Sequence, residues 1–119
     1  MDIFDTTELA LTRAMEGASA RQAVLAGNLA NANTPGYVRR DVNFAGALGQ
    51  ALQASDPNAA LRSATFAETT DPGAVQPDGN GVDVDVESAA IAKNGMLYEA
   101  LARVARSRIG IVESAIGNR

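Results

Sequence analysis

Two stretches near the ends of this chain carry apolar residues at alternating four- and three-residue steps, and all four prolines lie in the stretch between them. Toward the N-terminus the series is Leu11, Met15, Ala18, Leu25, Leu29 and Ala32, interrupted only by Gln22. Toward the C-terminus it is Tyr98, Ala102, Ala105, Ile109, Val112 and Ile116. A second series runs one residue earlier through Leu97, Leu101, Val104, Ile111 and Ala115, broken by Arg108. Such spacing is the seam of a coiled coil. It predicts one helix over Thr6–Asn31, of roughly 38 Å, and another over Asp83–Ile116, of roughly 50 Å. Asp5 or Thr6 is the expected cap of the first and Asp85 of the second, with Glu8 and Glu87 in the first turns. Gly117 marks the second helix's end. Gly17 and Gly27 each cost the first helix about 1 kcal/mol against Ala, so close approach of another backbone is the expected reason for them. Glu99 and Arg103 form a favourable i,i+4 pair.

The paired seams of the second helix make a face wide enough to touch more than one helix. Aromatic residues are only 4% of the chain and Trp is absent, while much of the 46% apolar content is alanine. A chain without large aromatics buries a thin core by itself, and oligomerisation is the expected remedy. The expected fold is mostly α, an antiparallel coiled-coil-like hairpin of long N- and C-terminal helices with an irregular, partly disordered middle segment. It divides into 1–34, the first helix and its exit; 35–82, the middle, with a short helix over 44–54; and 83–119, the second helix. Pro57, Pro72 and Pro77 exclude a long helix in the middle, which is expected to be disordered or ordered only by neighbours.

Several function classes are disfavoured. Histidine and cysteine are both absent, which removes the commonest general base, the commonest metal ligand and any disulfide. The serines have no histidine to activate them, and no glycine loop is followed by Lys and Ser/Thr. An EF-hand counted from Asp78 places Val82 at the fifth position and Ala89 at the twelfth, so it fails. No catalytic residue, cofactor or metal is expected. A net charge of −4 argues against nucleic acid. Arg103, Arg106 and Arg108 lack interleaved aromatics and read as a solvated face or as partners of acidic residues on a neighbouring subunit. No run of about 18 apolar residues suggests a membrane span, and no cleaved leader is visible in Met1–Asp5.

Between the first two zones stands Asn28-Leu29-Ala30-Asn31-Ala32-Asn33-Thr34-Pro35-Gly36-Tyr37. Its residues read as a helix stop and a turn. Asn31 or Asn33 can end the helix in left-handed backbone. Thr34 precedes proline and is pushed to extended geometry. Pro35-Gly36 suits the centre of a type II turn, and Tyr37 can fold its ring back on the helix.

The same residues, from Leu25 to Tyr37, resemble the N-terminal signature of flagellar basal-body rod and hook proteins, matching at Ala26, Asn28, Ala30, Asn31, Asn33, Thr34, Gly36 and Tyr37. Asp78–Glu87 resembles the segment that opens the C-terminal helix in that family, with Gly81 where a second Asn is common. Arg39–Phe44, the length and the short middle favour a proximal-rod member. The resemblance spans residues 6–50 and 78–116.

It implies a structural subunit, not an enzyme, of the bacterial flagellar basal-body rod, packed through its helices into a hollow, torque-transmitting tube that crosses the periplasm. The implied partners are copies of itself, neighbouring proximal-rod proteins such as FlgC and FliE, and the flagellar type III export apparatus in transit, with export needing no cleaved signal peptide. Phe44 and Leu48 resemble an export motif of such subunits, and equally read as i,i+4 neighbours on a short helix. The expected packing residues are Leu11, Met15, Val24, Leu25, Leu29, Leu97, Tyr98, Leu101, Val104, Ile109, Ile111 and Val112. Asn28, Asn31, Asn33, Thr34, Pro35, Gly36 and Tyr37 would set the helix exit. The rival expectation is a small helical adaptor or chaperone-like binding module.

Overall fold

The computed structural model describes residues 3–73 and 75–117. In chain order it contains α1 (Ile3–Ala30), β1 (Arg40–Val42), α2 (Phe44–Leu52), α3 (Pro57–Ser63), β2 (Glu68–Thr70) and α4 (Val84–Gly117). The molecule measures 65 × 31 × 14 Å. A helix with its side chains is about 10–12 Å across, so the thickness admits one layer of helices. α1 packs with α4 and also with β1, α2 and α3, which puts it in the centre of that layer. α1 and α4 run antiparallel: Asn28 meets Glu87 near one end, and Ala18 meets Asn94 further along.

The middle segment is less bare than its prolines suggest. Asn43 caps α2 by accepting from the Gly46 amide at 3.0 Å. Asp56 caps α3 by accepting from the Ala59 amide at 3.2 Å, with Pro57 in the first turn, where no N–H is needed. β1 and β2 pair antiparallel, with Arg40 opposite Thr70 and Val42 opposite Glu68. These short elements find their partner in α1 of the same chain. The core consists of Ala18 of α1, Val42, Phe44, Leu48, Ala51 and Leu61, flanked by Leu9, Ala10, Ala14, Val24, Ala60 and Phe66. Phe44 and Phe66 meet edge to face with centroids 6.4 Å apart. Arg13 lies over Phe66 at 4.8 Å and donates to the carbonyls of Leu61 (3.0 Å) and Ala64. One cation thereby ties α1 to the end of α3.

Details of the helix ends differ from the sequence expectation. α1 already includes Asp5 and Thr6, so neither caps it. The Thr6 hydroxyl instead donates to Asn58 Oδ1 at 2.7 Å. The cap of α4 is Asp83 and not Asp85: its carboxylate accepts from the amides of Asp85 (3.0 Å) and Val86 (3.2 Å). Asp83 sits one residue before the helix, where only a side chain can reach those unpaired N–H groups.

The glycines of α1 also differ from expectation. The nearest atoms at Gly17 belong to a side chain, and Gly27 has no close neighbour at all. At Gly17 a Cβ would lie 2.5 Å from Cβ of Phe44, so the close neighbour is the Phe44 side chain. At Gly27 a Cβ would meet nothing within 4 Å. The two positions therefore predict opposite signs. Gly27→Ala should stabilise the chain by about 1 kcal/mol through helix propensity, raising the thermal midpoint. Gly17→Ala, with the same propensity gain, should lower it, because overpacking costs about 1–3 kcal/mol. Thermal melts followed by circular dichroism check both.

Candidate functional site

The helix-exit signature is held by a second turn from far along the chain. α1 ends at Ala30, and the Asn31 amide group folds back to donate to the Gly27 carbonyl at 2.8 Å. Tyr37 N–H returns to the Thr34 carbonyl at 3.2 Å, and Gly36 takes φ +74°, as the third residue of a type II turn requires. Across this turn lies Asp78–Val82. Gly36 N–H donates to the Asp78 carbonyl (3.2 Å) and Gly81 N–H to the Tyr37 carbonyl (2.9 Å). Buried Asn80 donates from Nδ2 to the carbonyls of Asn31 (2.9 Å) and Thr34 (2.6 Å), while its Oδ1 accepts from Val82 N–H at 2.7 Å. No non-glycine residue among those described has positive φ. Asn31 and Asn33 thus do not end the helix in left-handed backbone as expected: the last carbonyls of α1 accept from the backbone amides of Asn31 and Ala32 and from the Asn31 side chain, and Asn80 holds the turn that follows. Gly81 is where it must be: a Cβ there would lie 2.9 Å from the Pro72 carbonyl oxygen.

One turn earlier in α1, buried Asn28 uses its whole amide. Nδ2 donates to the Arg40 carbonyl (2.6 Å) and to Glu87 Oε1 (2.7 Å), and Oδ1 accepts from Arg40 N–H (3.0 Å) and the Tyr37 hydroxyl (3.3 Å). Asn28 therefore fixes the start of β1 and the start of α4 together. Glu87 is 0% exposed. Its charge is met by the Arg39 guanidinium, Nε to Oε2 at 3.0 Å and Nη2 to Oε1 at 3.2 Å. That pairing raises the Arg39 pKa above its ordinary value, against the opposing effect of burial. Arg39 also pairs with Asp71 and lies 3.6 Å from Asp41, which Arg21 grips at 2.7 and 3.0 Å. Burial would push the Asp41 carboxyl up, but the Arg21 hydrogen bonds, the Val42 amide and the charges of Arg21 and Arg39 together hold it below the usual range.

The expected packing residues divide into two groups. Leu25 is fully buried, and Leu11, Met15, Val24, Leu29 and Leu101 are half-buried, with Val24 packed against the core. Leu97, Tyr98, Val104, Ile109, Ile111 and Val112 are exposed, as are Met96 and Ile116. Of the exit motif, Asn28 is buried, Asn31 and Tyr37 are half-buried, and Asn33, Thr34, Pro35 and Gly36 are exposed. Phe44 and Leu48, the export-motif candidates, are core residues. Glu99 and Arg103 do pair, at 3.8 Å, but both are solvated and add little.

Sequence reasoning missed Asn80, Arg39 and the burial of Glu87. Asn80 carries the signal of any turn residue, and Glu87 that of any helix first turn. The usable clue was spacing, since Glu87 and Asn94 extend the series of Leu101 backward in steps of seven. Among the described residues no helix is long and apolar enough to cross a membrane, and no group of three His, Cys, Asp or Glu side chains could hold a metal ion.

The junction predicts two outcomes. Arg39→Ala strands a buried carboxylate and should cost about 3–5 kcal/mol in urea unfolding, whereas Arg39→Ala combined with Glu87→Leu should cost clearly less than the sum of the single changes. Asp41, with its folded-state pKa depressed, contributes stability that is present above the unfolded value of about 3.9 and is lost as pH falls through the lower folded value. Asp41→Asn should therefore flatten the loss of stability below about pH 4, as acid titration of the unfolding free energy would show.

Comparison with known proteins identifies the family. The family model described as "Flagella basal body rod protein" matches residues 9–37, which run from the early turns of α1 to the Tyr37 turn. The chain is 34% identical over 113 residues to the flagellar basal body rod protein FlgB of Aeromonas hydrophila, covering 85% of this chain and 86% of that one. It is 38% identical over 96 residues to FlgB of Escherichia coli K12, covering 66% and 70%. To FlgB of Bacillus subtilis 168 it is 32% identical over 112 residues, covering 85% of each. On this similarity, spread across most of both partners, the chain belongs to the flagellar basal body rod protein family, among its FlgB-like members.

Proposed function

We propose that this protein is a structural, non-enzymatic subunit of the proximal part of the flagellar basal-body rod, where side-by-side packing of its helices with other subunits builds a hollow, torque-transmitting tube. The observation that carries this reading is the open stripe of α4. Val104, Ile109, Ile111, Val112 and Ile116 are all exposed on a helix that belongs to a single layer. A contiguous apolar strip on a long helix marks a site of association. Copies of the same chain and its rod neighbours, FlgC and FliE, are the proposed occupants. The helix-exit junction gives the shape of the subunit, and the α4 stripe gives its contacts.

Transit through the flagellar type III export apparatus toward the periplasm completes the proposal. Phe44 and Leu48 fill the core between α1 and α2. If they serve as an export motif, they do so before the chain folds, and folding afterwards withdraws them.

The direct test is Ile111→Asp. Ile111 is 67% exposed, so the variant should keep the helical signal and thermal midpoint of the parent chain while motility in complemented cells falls to the level of the null strain. Leu101→Asp should also block assembly, but Leu101 is half-buried and would weaken the hairpin as well. Normal swimming with Ile111→Asp would contradict the proposal.

A further inference from the structure

α4 has only two buried residues, and both are polar: Glu87 and Asn94. Glu87 belongs to the junction at the start of the helix. Asn94 lies one heptad on, 1% exposed, and its Nδ2 donates to the Ala18 carbonyl and to Gln22 Oε1, both at 2.8 Å. Gln22 is the one polar interruption of the α1 stripe, so a polar exception on α1 meets one on α4. Asn94 Oδ1 is buried with no partner among the described residues. Burying a side-chain amide in a helix seam is a cost that a leucine in its place would not carry. A polar contact retained at a cost in a helix seam is the known means of fixing alignment.

The geometry shows what needs fixing. Beyond Asn94 no residue of α4 is fully buried, and its contact with α1 runs through half-buried residues such as Leu101, Ala102 and Ala105. Small alanine side chains interlock poorly. A helix pinned at Glu87 alone can swing or turn about that point. A second pin one heptad away fixes both its direction and its rotation. Sliding by a heptad is also penalised, because Asn94 would then face Leu25 and Leu29, or Leu11 and Met15, in place of Ala18 and Gln22.

We infer that Asn94 and Gln22 are a positioning pair that holds the outer part of α4 in one alignment on α1, and so presents the open stripe in one orientation. This concerns the folded chain itself and stands apart from what the stripe docks to.

The chain has no cysteine, so spin labels can be placed freely. Cysteines at Ala26 and Ser107, both exposed, report the outer part of α4 against α1; cysteines at Ala26 and Ser55 report the middle segment against α1. In the parent chain both label pairs should give one narrow distance by pulsed electron resonance. In Gln22→Leu/Asn94→Leu the outer pair should broaden at least twofold or split, the middle pair should stay narrow, and the thermal midpoint should hold or rise. The exchanged pair Gln22→Asn/Asn94→Gln should restore the narrow outer distance. An unchanged outer distance in the leucine variant overturns the inference. So does broadening of both pairs together, which would make the contact a matter of general stability, and so does an outer distance already broad in the parent.

Discussion

Helix α1 is occupied on two sides, and α4 on one. That asymmetry governs the rest of the molecule. With α1 between α4 and the short elements β1, α2 and α3, the chain forms a sheet of helices 14 Å thick. A layer that thin has no interior for the wide apolar face of α4. The small core that does exist lies on the other flank of α1, around Phe44, Leu48 and Leu61. Folding therefore satisfies α1 and the middle segment, and leaves α4 with exposed valines and isoleucines along its outer half.

What keeps this open arrangement defined is polar. Asn28, Arg39 and Glu87 tie the end of α1, the start of β1 and the start of α4 into one point, and Asn80 ties in the turn that leads to α4. Hydrogen-bonded buried groups are directional in a way that apolar contact is not. A subunit that leaves an apolar strip open cannot rely on apolar contact alone for its own geometry, since that surface would accept many alignments. The signature around Asn28–Tyr37 is the sequence trace of this device. Asn28, Asn31, Thr34 and Tyr37 of the motif act through their side chains at the junction.

The two long helices were legible from periodicity because four-three spacing over many turns has few other readings. The family was legible because the exit motif combines uncommon residues at close spacing. The location of the core was not. Phe44, Leu48 and Leu61 sit in short helices, too brief for a periodic signal and bounded by prolines, so only the three-dimensional partner α1 reveals them as interior. Asn80 was illegible for a related reason: its partners, the carbonyls of Asn31 and Thr34, lie 49 and 46 residues away. Gly17 looked like a site for a close backbone, and the space it leaves is filled by Phe44. In each case a local pattern identified the residue type correctly and a long-range contact decided its use.

The central claim is that the outer stripe of α4 is open in the single subunit and covered in the assembled rod. Accessibility of a cysteine placed at Ile111, in a chain that otherwise has none, tests it most directly. A maleimide reagent should label this position rapidly in the isolated chain and leave it largely unlabelled in intact basal bodies, with labelling returning when the basal bodies are dissociated. Equal labelling in the free and assembled states would contradict the account.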